Sequence, residues 1–368
     1  MHRTKPGPVP VRLAMSVAVA TATALLSGYG SRKAYGGACT GTGGVYTCSG
    51  AADSVNDVQP TLSPPPTGPL TVTTTADFGI DTSSNVTDGI YLANPLGLSG
   101  SLTFEDNNSA MITGAITGIY AKNQGSGALS ITSGGTVSGI SEHGVFATTY
   151  GAGLSISAVT VSGNLSGITV RNMISGVLSI TSTGTVSGTN TDGINAYNRS
   201  GTELSINAAA VSGGLHGIFA KNNGTGALSI TATGAVSGIS QDGIYATTSG
   251  TGLSISAVTV SGNQSGINAK NIGTGALSII VTGAVSGGSS DGISVTNTPG
   301  TTNLSINAAA VSGGTSGIDA RNQGSGALSI TTTGTVSGGS GDGLNVGHYG
   351  TGALSITATG AVSGISQD

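Results

Sequence analysis

Charged side chains are scarce in this chain, and nine of them recur at fixed intervals. Asp192, Asp242, Asp291 and Asp342 each stand directly before a Gly-Ile or Gly-Leu pair, with 49–51 residues between successive copies. Lys122, Arg171, Lys221, Lys270 and Arg321 are each followed by Asn at the same interval. Pairs of carboxylates are the working groups of glycoside hydrolysis, so the Asp series is the first candidate for chemistry. On stacked strands, carboxylates two rungs apart stand about 10 Å from each other, near the separation used by inverting hydrolases. Against catalysis stands uniformity. An active site is a local departure from a repeat, and no repeat here adds Asp, His, Arg and Tyr together. His143, His216 and His348 fall in different repeats without a shared partner and read as solvated loop residues. Glu142-His143 is the one local oddity. We read both charged series as surface ladders whose alternation keeps like charges apart; a ligand-binding charge stripe is the sharper alternative. No metal or cofactor is expected, because the calcium-binding nonapeptide, the phosphate-binding glycine loop and the His-Glu-x-x-His pattern are all missing. "SITAT" and "SITTT" are similar to the threonine ladders of ice-binding solenoids, but "SISAV" and "SINAA" interrupt them at every second copy.

The elements that carry these residues are short and repeated. Leu-Ser-Ile begins at Leu129, Leu154, Leu178, Leu204, Leu228, Leu253, Leu277, Leu304, Leu328 and Leu354. Val-Ser-Gly follows each copy, from Val137 to Val362, and a Gly-Ile pair or close variant then completes the unit. Each apolar element alternates with a period of two, and small turn residues separate them, which is the pattern of strands. A helix is excluded by the glycine density, at about 1 kcal/mol per site. Three short strands per unit of about 25 residues, with no helix between, predict an all-β right-handed parallel β-helix, a repeat solenoid. A lone coil has nothing to bury its apolar residues against. Stacked copies supply both burial and a hydrogen-bonding ladder, and repetition places like residues on like.

Composition agrees. The 368 residues include 65 Gly and no Trp, with 7% charged and 4% aromatic, enough for a thin core repeated along an axis but not for a wide globular one. The net charge of −4 argues against a nucleic-acid partner. Residues 1–36 read as an export signal: Arg3, Lys5 and Arg12, then the apolar run "LAMSVAVATATALLSG" at residues 13–28. An uncleaved anchor is the alternative. Residues 37–69 form a cap, with a short Gly-rich loop between Cys39 and Cys48 and a proline cluster that breaks regular pairing. An even cysteine count behind an export signal favours a Cys39–Cys48 disulfide. Residues 70–128 read as irregular first coils and residues 129–368 as the regular repeat, whose last copy breaks off at Asp368 before its Gly-Ile. We expect a piece of a longer chain.

An export signal, the loop "CTGTGGVYTCSG" and Gly/Ser/Thr-rich coils of low charge together resemble the passenger region of bacterial autotransporters. The resemblance covers the organisation of the whole chain and rests on moderately specific, compositional motifs. It implies a Gram-negative surface protein whose β-helical stalk or adhesin is moved across the outer membrane by a C-terminal translocator barrel. Residues 1–368 contain no barrel-like strands, and in this the chain departs from the family. The haemagglutinin-like exoproteins, secreted through a separate barrel, are the second resemblance, carried only by Asn94-Pro95. The expected function is a non-enzymatic adhesin, stalk or biofilm component at the outer membrane or outside the cell, with host-cell or extracellular glycan or protein surfaces as partners. A chain truly truncated at Asp368 would stay periplasmic. A secreted carbohydrate-active enzyme and a non-functional fragment of a broken gene are the alternatives.

Overall fold

The computed structural model describes residues 37–365, apart from Thr61, Ser63 and residues 65–67. The export-signal expectation at residues 1–36 lies outside the described residues. From Gly37 onward the described residues form an all-β parallel solenoid of about 13 turns, with roughly 25 residues per turn and no helix among them. Like stacks on like through the whole repeat. Leu70, Leu102, Leu129 and Leu154 are successive Cα partners, and the series continues in register to Leu354. The valines pair in the same way from Val137 to Val362, and the Gly-Ile element pairs from Ile90 to Leu344. Nearly all of these side chains are completely buried, so the core is a narrow column of Leu, Ile, Val and Ala. Residues 70–128 are irregular in sequence, yet their strands stand in this register too.

The three apolar elements do not always make three strands. In several coils the Leu-Ser-Ile and Val-Ser-Gly elements merge into one bent strand, such as Leu129–Gly139 or Leu277–Gly287. The strands therefore fall into two hydrogen-bonded sheets, of 20 and 11 strands, with the Gly-Ile element alone in the second. The bend is a bulge. Between Ala158 and Thr160 one coil spends a residue fewer than its neighbour, and the register recovers beyond it. Differences in repeat length are absorbed there without disturbing the stacks. At the next corner glycine is required by space. A Cβ on Gly217 would lie 2.6 Å from both the Gly243 carbonyl and a methyl group of Val236.

The first rung is built differently. β1 (Ala38–Thr42) and β2 (Val45–Ser49) form an antiparallel hairpin with Cys39 opposite Cys48, and these two form the expected disulfide. β2 then pairs in parallel with β3 (Leu70–Thr74). The cross-linked hairpin covers the strand edge that the first coil would otherwise leave open.

A second ladder lies inside the wall. Four residues beyond the apolar residue of each Gly-Ile element stands a buried Asn, at 94, 123, 172, 198, 222, 271, 297 and 322, with Thr149 and Thr248 in two intervening coils. Asn222 shows its work. Its Nδ2 donates to the carbonyls of Gly226 (2.8 Å) and Ala227 (3.2 Å). Its Oδ1 accepts from the Gly224 amide (3.0 Å) and from Nδ2 of Asn198 in the coil before (2.9 Å). The corner backbone has left the strand ladders, and the amide side chain replaces the missing partners. Thr248 does part of this, accepting from the Gly250 amide at 3.1 Å. Replacing Asn222 by Ala strands several buried polar groups and is expected to lower unfolding stability by about 2–4 kcal/mol, and replacement by Thr by distinctly less. Denaturant unfolding of the two variants checks the order.

Candidate functional site

The second sheet turns two rows of side chains outward. One row holds the residue after each Gly-Ile element, and it includes Tyr91, Tyr120, Phe146, Asn195, Phe219 and Tyr245. The other holds the basic series. Lys122, Thr148, Arg171, Tyr197, Lys221, Thr247, Lys270, Thr296 and Arg321 are successive partners, so a cation occupies every second rung and a neutral residue lies between. The expected spacing of like charges holds for these five residues, all of them at least partly exposed. Arg321 meets Asp319 at 3.4 Å; the other four cations have no carboxylate within ion-pair distance among the described residues.

The aspartate series is different, and here the expectation of a surface ladder is corrected. Asp192 and Asp242 are buried, Asp291 is half-buried, and of the four only Asp342 is exposed. They sit at the corner that enters the second sheet. Each of the first three accepts the backbone N–H of the equivalent residue one coil on: Asp192 from His216 (3.2 Å), Asp242 from Ser265 (2.9 Å), Asp291 from Ser316 (3.1 Å). The carboxylate exchanges water for an amide that no carbonyl reaches, which keeps both groups satisfied inside the wall. Asp88 belongs to this series, accepting from Thr117 at 3.0 Å. Its "DGIY" is the motif repeated at Asp242, so the sequence carries the signal for a fifth member of the series. The buried Asn ladder is marked in sequence only where Lys or Arg precedes the Asn. Asn198 and Asn297 follow Tyr and Thr instead of Lys or Arg.

His216 is a second correction. It is buried, not solvated, and it joins two of the aspartates. Its Nδ1 lies 2.9 Å from Asp192 Oδ1, and its Nε2 lies 3.9 Å from Asp242 Oδ2. Its ring is 5.3 Å from that of Phe219 and 5.7 Å from that of Tyr245, and those two stack at 5.0 Å. Asn195 donates to the other oxygen of Asp192 at 2.7 Å. The repeat therefore does have a local departure, made of residues from several coils: Arg171, Asp192, Asn195, Tyr197, His216 and Phe219. Its one carboxylate, Asp192, is inside the wall. The groups it offers to a ligand are Arg171, Tyr197, the Phe219 ring and the Asn195 amide, which line a cleft of about 370 Å³ together with Met173. Among the described residues, no group of three His, Cys, Asp or Glu side chains is placed to hold a metal ion.

His143 occupies the same corner two coils after Asp88, with Thr169 Oγ1 3.2 Å from its Nδ1. Burial holds its imidazole below the ordinary value, against the opposing pull of Glu142 and with a smaller contribution from Arg171. Burial raises the Asp88 carboxyl, opposed by the Thr117 hydrogen bonds. No protein-family model matches the chain, and no curated protein or solved structure shows significant similarity to it.

Two outcomes follow from these rows. Excising residues 226–250 removes one coil and sets Lys270 directly over Lys221, whereas excising residues 226–274 removes a coil pair and keeps the alternation. At low salt the single-coil deletion is expected to be the less stable by up to about 1 kcal/mol, with the difference shrinking as salt is added. Thermal melts across a salt series read this. For His143, the neutral form is favoured in the folded chain. Its contribution is whole above pH 6.5 and is lost as the pH falls through the lower folded value. Asp88 has the opposite sign, since protonation in acid favours the folded chain. His143→Gln is therefore expected to flatten the fall in stability just below pH 6.5, as measured by unfolding at a series of pH values.

Proposed function

We propose that this protein is an exported, surface-displayed β-solenoid that acts as an adhesin, stalk or biofilm component and catalyses no reaction. The outer face of the second sheet carries the reading. Its exposed cations recur on every second rung from Lys122 to Arg321, so contacts that are weak singly are repeated at a constant spacing along one stiff face. The disulfide-linked hairpin at the first rung suits an oxidising compartment. The partners proposed are glycan or protein surfaces of host cells or of the extracellular matrix, and an outer-membrane translocator barrel for delivery.

A carbohydrate-active enzyme is the second reading, favoured by the meeting of Asp192, His216 and Asp242. The carboxylates of that group are spent on the backbone and on His216, which leaves the adhesin reading ahead.

Beads coated with the protein are expected to adhere to glycan-bearing cells. Adhesion should fall more than in proportion to length when residues 226–274 are removed. Failure to adhere, or release of cut oligosaccharide that disappears with Asp192→Asn, would favour the enzyme reading or neither.

A further inference from the structure

We infer that the cleft formed by Arg171, Met173, Asn195, Tyr197 and Phe219 binds one carboxylate-bearing pyranose, a hexuronate unit of an acidic glycan. The inference deepens the adhesin reading and rests on it for its biological setting. The cleft departs from the coils of the same type on either side of it. Tyr197 stands on a rung where Thr148, Thr247 and Thr296 stand in coils of the same type, and Phe219 stands where Thr169, Asn268 and Asp319 stand. At about 370 Å³ the space is within the range of small-ligand sites and suits one or two sugar rings.

Each wall asks for a different part of the same molecule. Arg171 is exposed and has no carboxylate within ion-pair distance among the described residues. Its planar guanidinium matches a carboxylate through two parallel hydrogen bonds. The Phe219 ring has one face covered by Tyr245, at 5.0 Å and 5°, and its neighbour on the other side is the smaller Asn195. That side and Met173 form an apolar wall for the C–H face of a pyranose, because the ring face is negative and C–H groups are weakly positive. Asn195 gives Nδ2 to Asp192, which orients its amide and leaves Oδ1 to accept from a sugar hydroxyl. Tyr197 accepts from Asn223 Nδ2 at 3.2 Å, and its own O–H proton remains to donate. The Lys221 ammonium, 6.0 Å from the Tyr197 ring centre, adds positive potential on the far side. A bare sulfate or phosphate would use Arg171 but leave the apolar wall unfilled. A neutral sugar would fill the wall but leave the guanidinium unpaired. Only an acidic sugar uses both.

The test is a titration of the whole chain with three probes, tetragalacturonate, its methyl ester and inorganic sulfate, followed by NMR or calorimetry. Tetragalacturonate is expected to bind about tenfold or more tightly than either other probe. Arg171→Gln, an exposed change that spares the fold, should remove that preference, while Asp342→Asn, an exposed change six coils beyond Tyr197, should leave it unchanged. Phe219→Leu should weaken the acidic oligosaccharide and leave sulfate as it was. Equal binding of sulfate, or full binding by Arg171→Gln, overturns the inference. Coated beads separate the two levels. Beads that adhere equally well with Arg171→Gln, while the titration shows no acid preference, sink the cleft and leave the adhesin reading standing. Wild-type beads that fail to adhere, while the acid preference holds in solution, sink that reading and leave the cleft.

Discussion

Every feature of this structure depends on one constraint: a coil's backbone amides and carbonyls must find their partners in the coils on either side. A parallel ladder offers no partners within the coil itself. Each turn is therefore held by its neighbours, and the register must be kept from Leu70 to Leu354. Once register is kept, equivalent residues lie one strand spacing apart, and the choice at each position is a choice about stacking on itself. Leu, Ile, Val and Ala do this well, since identical shapes nest inside the column. Gly217 and its equivalents are required where the next coil's carbonyl comes close.

The corners are where the ladder fails, and buried polar side chains repair it. The Asn row serves the corner that leaves the second sheet, and the Asp row serves the corner that enters it. The two rows follow different rules. An amide both donates and accepts, so Asn172, Asn198 and Asn222 stack directly and bond to one another. Carboxylates only accept and repel one another, so Asp takes alternate rungs with Ser, Thr or His between. That difference supplies a physical reason for a period of two coils in sequence, where the fold itself repeats every coil.

With core and corners committed, the outward positions of the second sheet are where the chain is free to vary. Thr holds three of the four rungs between cations, at 148, 247 and 296, while aromatic rings gather in the neighbouring row at Tyr91–Tyr120–Phe146 and again at Phe219–Tyr245. Rings stacked along the axis cover one another's faces, so only a ring at the end of a stack has a face to offer. Phe219 is such a ring, and Arg171 and Tyr197 stand beside the side it leaves open.

The sequence by itself determined the all-β solenoid, the coil length, the disulfide and the alternating cations. These follow from period-two apolar triplets, spacing and residue chemistry, which are local or strictly periodic properties. The Asn ladder was legible only in part, because Asn94, Asn198 and Asn297 lack the basic neighbour that marks the others. Tertiary structure alone decided that Asp192 and Asp242 turn inward, that His216 lies between them, and that two apolar elements merge into one bent strand. The reason is the same in each case. A corner residue's environment is set by the coils before and after it, some 25 positions away in sequence, and whether a carboxylate meets water or a stranded amide depends on how those coils turn.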